Sequence, residues 1–224
     1  EYPNLLAGKD LLAGGTWLGC TRTGRFAALT NFSQDTDPAE PKSRGSLVHE
    51  FLISTQSALA YAETIDGPAY AGFNLLLFDG AQLAYASNIA TGDTALPRLL
   101  GPGSYGLSNA ELGAAWPKCI DGADAIADLA AADCGIDALL AQLTDSSTPA
   151  DERLPNRQRD LAFERRVAPC FIVGDDYGTR ASSAVIFDNG HIYFSEQTYL
   201  AAGQVGERVD FDFPQRNTQQ QERA

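Results

Sequence analysis

The chain has 224 residues, 44% of them hydrophobic and 20% charged, enough for one large globular domain or two small ones. Its 29 acidic and 16 basic residues leave a net charge of -13, which argues against a nucleic-acid or anionic-membrane partner, since both need a basic face. The longest apolar run, "FNLLLF" at 73–78, is far short of the roughly 20 residues of a membrane helix, so no transmembrane segment is expected.

In chain order, "GTWLGCT" (15–21) and "GRFAALTN" (24–31) read as strands joined by a short turn. The polar, proline-containing loop 33–43 ends at Ser43, an N-cap for a helix from about Arg44 with Leu47, Phe51 and Leu52 on one side. Ser54 or Ser57 caps a second short helix through "ALAYAETI". Strands follow at 73–79 and 82–88, the first apolar on both faces as in a strand covered twice over. An Ala-rich acidic helix is predicted from Gly122 to Gly135, and an amphipathic one carries Ile136, Leu139, Leu140 and Leu143. The closing strands are "CFIVG" (170–174), 179–188 and 191–199, with Asn189-Gly190 as the two-residue turn of the last hairpin. A polar tail covers 215–224 after a single domain over 1–214. Helices do not alternate regularly with strands, so an α+β fold with antiparallel sheets is favoured over a doubly wound one.

Several motifs fail on context. "GPGSYG" (101–106) fits G-x-G-x-x-G but lacks the strand before and the long helix after it. The basic stretch 153–166 interleaves acids and reads as a solvated helical face. The four cysteines (Cys20, Cys119, Cys134, Cys170) never form C-x-x-C, and with only His49 and His191 beside them no metal site is expected. They read as reduced thiols of a cytoplasmic protein. There is no methionine, even at position 1, so a trimmed chain or a fragment is expected.

Asn31, Asn74, Asn88 and Asn109 instead stand at the ends of predicted strands or turns, with Arg180 beside the strand from 179. A buried amide needs a partner, because leaving it unpaired costs about 1–3 kcal/mol. Convergent amides with a guanidinium suit a carbonyl-bearing or anionic ligand. The competing reading for each is structural: Ser108 to Glu111 fits a capping box, Asn31 and Asn88 suit turns, Gly14 and Gly15 serve the backbone, and Trp17 is a core or sheet-face residue.

The blocks "LLAGGTWLG", "GRFAALTNF", "SRGSLVHEFL", "AGFNLLLFD", "YASN", "GPGSYGLSNAELGAAWPK" and "YGTRASSAVI" together resemble the NRDE family, also called the transport-and-Golgi-organisation 2 homologues. The resemblance runs from about Asp10 to Thr198. It implies an N-terminal-nucleophile (Ntn) hydrolase-like fold: a four-layer αββα sandwich, two antiparallel sheets between helix layers. Such proteins normally begin Met-Cys and carry Asn-Arg-Asp-Glu soon after; neither is in this sequence, whose start looks like the segment just past that motif. In similar amidases the freed cysteine attacks a carbonyl with its own amine as base. By motif position Asn109 corresponds to the oxyanion-holding Asn and Arg180 to the Arg that supports the nucleophile. Asn88, Asn31 and Asn74 stand as candidates for contacting the substrate. No cofactor is implied.

Two functional expectations follow from the resemblance. One is a Cys-dependent C–N (amide) hydrolase, inactive without its nucleophile. The other is a non-catalytic carrier of haem or an acyl lipid. In both the partner is a small molecule. A third, blander reading is a scaffold whose asparagines are structural.

Overall fold

The structure is a computed structural model that describes residues 2–32, 38–89, 97–157 and 159–216. Parts of two sequence expectations, the loop over 33–43 and the tail over 215–224, lie outside the described residues at 33–37 and 217–224. Two compact units are distinguished, one from 1–102, 107–112 and 214–224, the other from 103–106 and 113–213.

The first unit is built on a six-stranded antiparallel sheet in simple sequence order: β1 (Leu5–Ala7), β2 (Leu18–Thr21), β3 (Phe26–Asn31), β4 (Phe73–Phe78), β5 (Leu83–Ser87) and β6 (Arg98–Leu100). Two helices, α1 (Gly45–Ile53) and α2 (Ala58–Glu63), pack on one face of it. Strand side chains alternate faces. Ala27 and Leu29 of β3, Phe73, Leu75 and Leu77 of β4, and Ala84 and Ala86 of β5 therefore meet Leu47, Val48, Phe51 and Leu52 of α1 and Ala58, Tyr61 and Ala62 of α2 in one core. Phe51 is fully buried, and truncating such a side chain typically costs about 3–5 kcal/mol.

Helix starts follow local chemistry only in part. Ser57 caps α2 as expected, its Oγ accepting from the Ala60 amide. Ser43 does not cap α1: Arg44 holds that position without a side-chain bond, and the Ser43 carbonyl accepts from the Ser46 amide instead. Asp79 ties the β4–β5 turn to the start of α2, accepting from the amides of Ala81, Gln82 and Ala58.

The second unit holds a three-stranded sheet in the order β7 (Ala181–Asp188), β8 (His191–Tyr199), β9 (Val205–Pro214), with β7 and β8 antiparallel. It also holds α3 (Pro117–Ala131), α4 (Ile136–Gln142) and α5 (Leu161–Val167). Asn189 and Gly190 both have positive φ, +46° and +76°, as the two-residue turn requires. The helix expected from Gly122 starts earlier, because Pro117 at its first position is pre-set for helical φ, and it ends at Ala131. "CFIVG" is not a strand: Ile172 exchanges its hydrogen bonds with Thr179 and closes a loop. The ten-residue β9 and the short β1 and β6 were not anticipated.

The chain is thus a mixed α/β protein with two antiparallel sheets and five α-helices among the described residues.

Candidate functional site

At the far end of β3 and β4 three of the sequence-selected asparagines come together. Thr30 and Asn74 are cross-strand partners on the sheet face opposite the helices. Asn74 is wholly buried. Its Oδ1 accepts from the Tyr85 hydroxyl at 2.7 Å, and its Nδ2 points to Thr30 Oγ1 (3.1 Å), the Ser108 carbonyl (3.3 Å) and the Ala110 carbonyl (2.9 Å). Thr30 Oγ1 donates to the same Ser108 carbonyl at 2.8 Å, and the Leu112 amide donates to Tyr85 Oη at 3.3 Å. These bonds lay residues 107–112 across the sheet as a strap. The expected helical turn from Ser108 to Glu111 does not form, since the Ser108 and Ala110 carbonyls are taken by the sheet.

The strap carries Asn109, which is exposed; its Nδ2 donates to the Asn31 carbonyl at 2.7 Å and ties the strap to the last residue of β3. Asn31 itself is exposed and borders a cleft of about 400 Å³, with Trp17, Leu29, Lys42 and Arg44 among its other walls. Its side chain makes no hydrogen bond to another described residue. Arg44 Nη1 donates to the Gly72 carbonyl at 2.9 Å, which fixes that cation at the rim. Asp10 also lines the cleft, and hydrogen bonds from the Ala13 and Leu12 amides hold its carboxyl below the usual carboxylate range. Trp17, expected in the core or on a sheet face, is half exposed on the cleft wall.

The glycines of "LLAGGTWLG" have a role here. A Cβ on Gly15 would fall 2.5 Å from the Gly45 carbonyl carbon, and one on Gly45 would fall 3.0 Å from the Thr16 nitrogen. The Thr16 amide donates to the Gly45 carbonyl across this contact. The start of α1 and the approach to β2 thus touch backbone to backbone beside the cleft.

Asn88 lies at another part of the first unit, and Arg180 belongs to the second. Asn88 Oδ1 accepts from the Phe73 amide at 2.8 Å, while its Nδ2 faces the carbonyls of Gly67, Tyr70 and Ala71 at 3.0, 3.1 and 3.4 Å. Its amide braces the 67–71 turn. Arg180, in the second unit, is exposed just before β7, with its carbonyl accepting from the Tyr199 amide.

All four cysteines are free thiols. Burial pushes Cys20 up to about 12 and also raises Cys119 and Cys170. A thiol held protonated is a poor nucleophile. Among the described residues no cluster of His, Cys, Asp and Glu could hold a metal ion, and no helix is long and apolar enough to cross a membrane.

Fold and motif blocks together define a mixed α/β protein with two antiparallel sheets. The pattern of the family described as transport and Golgi organisation 2 matches residues 1–201. The chain is 34% identical to the transport and Golgi organization protein 2 homolog of Bos taurus, over 88% of this chain and 78% of the relative. It is 32% and 31% identical to the Mus musculus and Homo sapiens homologs, over 88% of this chain and 77% of each. The chain belongs to the transport and Golgi organisation 2 family, the same family that is called NRDE.

Proposed function

We propose that this family member binds a small carbonyl-bearing molecule in the cleft at the end of β3, and that in a chain headed by a processed cysteine the same cleft hydrolyses a C–N bond. One observation supports this reading above the others. Segments from four separate motif blocks, holding Trp17, Asn31, Arg44 and Ala71, line a single cavity of about 400 Å³ with a donor-rich rim. A volume of that order suits a small ligand.

In a chain headed by that cysteine, the sulfur attacks the carbonyl carbon while the chain's own amine takes the thiol proton and passes it to the departing nitrogen. The C–N bond breaks, an amine leaves, and water then cleaves the thioester. The carbonyl oxygen becomes an oxyanion on the way, and one pre-set donor for it is worth about 10²–10³ in rate. An amide NH₂ carries two hydrogens. Asn109 gives one to Asn31, which leaves the other for that oxyanion.

The test is turnover of a panel of fluorogenic N-acyl amides by a form of the protein with cysteine as first residue. Turnover should vanish in the Cys→Ser variant and fall about 10²–10³-fold in Asn109→Ala. Failure to hydrolyse any amide, together with no preferential labelling of that cysteine by iodoacetamide, would remove the hydrolase reading.

One observation favours the carrier reading instead. Leu11 and Leu12 are 92% and 98% exposed, between Asp10 and Ala13, which both line the cleft. Such residues could cover the chain of an acyl lipid. Trp17 fluorescence should then respond to a palmitoyl lysophospholipid, and Leu11→Asp with Leu12→Asp should abolish the response. A response unchanged by both substitutions rules that reading out.

A further inference from the structure

A second cavity, of about 440 Å³, opens at the opposite end of β3, about 20 Å along the strand from Asn31. Thr21, Thr23, Leu52, Ile53 and Asp79 line it together with Arg25, which is only 9% exposed. The Arg25 guanidinium lies over the Phe51 ring, 4.0 Å from its centroid. Nη2 donates to the Gln56 carbonyl at 2.8 Å, to the Phe51 carbonyl at 3.2 Å and to Ser54 Oγ at 3.3 Å. Nε is buried with no acceptor among the described residues. Asp79 shares the cavity but forms no ion pair with Arg25, its oxygens being turned to the amides of Ala58, Ala81 and Gln82.

This combination is physically unusual. A guanidinium remains charged at any physiological pH. A buried charge is normally paired, because the interior replaces the lost hydration poorly. Here only neutral acceptors hydrogen-bond the group, Nε goes unused, and burial lowers its pKa while the Asp79 charge acts through space in the opposite direction. No carboxylate of the described residues touches the guanidinium directly. Thr21 and Thr23 add hydroxyls 2.8 Å apart beside it, and Leu52 and Ile53 give the cavity an apolar wall.

We propose that this cavity binds the carboxylate of a small organic acid, with the Arg25 guanidinium meeting the carboxylate and the acid's apolar body lying against Leu52 and Ile53. The site is separate from the cleft at Asn31 and stands whether or not that cleft is catalytic.

The probe is hexanoate, with 1-hexanol and inorganic phosphate as comparisons, followed through the Arg25 Nε–Hε resonance and the thermal unfolding midpoint. Hexanoate should move the Arg25 resonance downfield in a saturable way and raise the midpoint, while hexanol leaves both unchanged and phosphate acts at least tenfold more weakly. Arg25→Met should abolish the midpoint rise. Ile53 is 46% exposed, so Ile53→Trp can fill the cavity without touching the core or Arg25, and it should weaken hexanoate at least tenfold. An unmoved Arg25 resonance, equal effects of hexanoate and phosphate, or an undiminished hexanoate response in Ile53→Trp would each overturn the proposal.

Discussion

Asn74→Ala should release the strap over residues 107–112 and destabilise the first unit by several kcal/mol. Asn74 is wholly buried, and four groups meet its amide: the Tyr85 hydroxyl, Thr30 Oγ1 and the carbonyls of Ser108 and Ala110. Two of them have other partners, since Thr30 Oγ1 bonds the Ser108 carbonyl directly. The Ala110 carbonyl and the Tyr85 O–H lose the partners seen here. Leaving a buried group unsatisfied costs about 1–3 kcal/mol, so the two together give roughly 2–5 kcal/mol after partial rehydration. Asn74→Asp sharpens the test: a carboxylate can still accept from Tyr85 but cannot donate to either carbonyl, so it should be at least as damaging at neutral pH. Urea unfolding gives the stability change, and amide hydrogen exchange at Leu112, whose N–H is held by Tyr85, gives the local effect. A loss under about 0.5 kcal/mol in Asn74→Ala with unchanged exchange at Leu112 would refute the view of Asn74 as the strap's anchor.

Cys20 is neutral in the fold, with burial pushing its thiol up from 9.0 to about 12. The unfolded chain loses that proton first, so the contribution is intact below pH 9 and is lost as pH rises toward 12, at about 1.4 kcal/mol per unit. Cys20→Ala should flatten that part of the stability–pH curve relative to the parent, measured by denaturant unfolding at pH 8 to 10.5. Gly106→Ala should cost about 1–3 kcal/mol or more in thermal unfolding, because its Cβ would sit 2.0 Å from the Cys119 carbonyl oxygen. Glu164 is 4% exposed and accepts from Nε and Nη2 of Arg157, whose guanidinium also lies over the Trp116 ring. Glu164→Gln should lose about 2–3 kcal/mol, less than for a fully buried pair because Arg157 is partly exposed, and calorimetry would measure it.

The hairpin over β7 and β8, the Ser57 cap and the amphipathic α4 were legible because each is set by a few neighbouring residues. β9 was missed: its residues are mostly exposed, and charges interrupt the apolar alternation from Val205 to Phe213. "CFIVG" misled in the opposite direction, being β-branched and apolar but without a strand partner. Selecting asparagines found the strap and the cleft edge, yet their roles depend on distant partners. Asn74 reaches carbonyls 34 and 36 residues away, and Asn88 is occupied by the turn 17 to 21 residues before it. Arg25 drew no notice because nothing in "TRTGRF" reveals that α1 will cover it.

The contact of Gly15 with Gly45 has a bearing on selectivity. Two main chains touch there with no side chain between them, so the gap between the cleft's walls is set by peptide geometry and not by residue size. Trp17, Lys42 and Arg44 can therefore be exchanged to suit a different guest while the frame keeps its dimensions. Preference for one ligand over another becomes a matter of the fittings on a fixed frame.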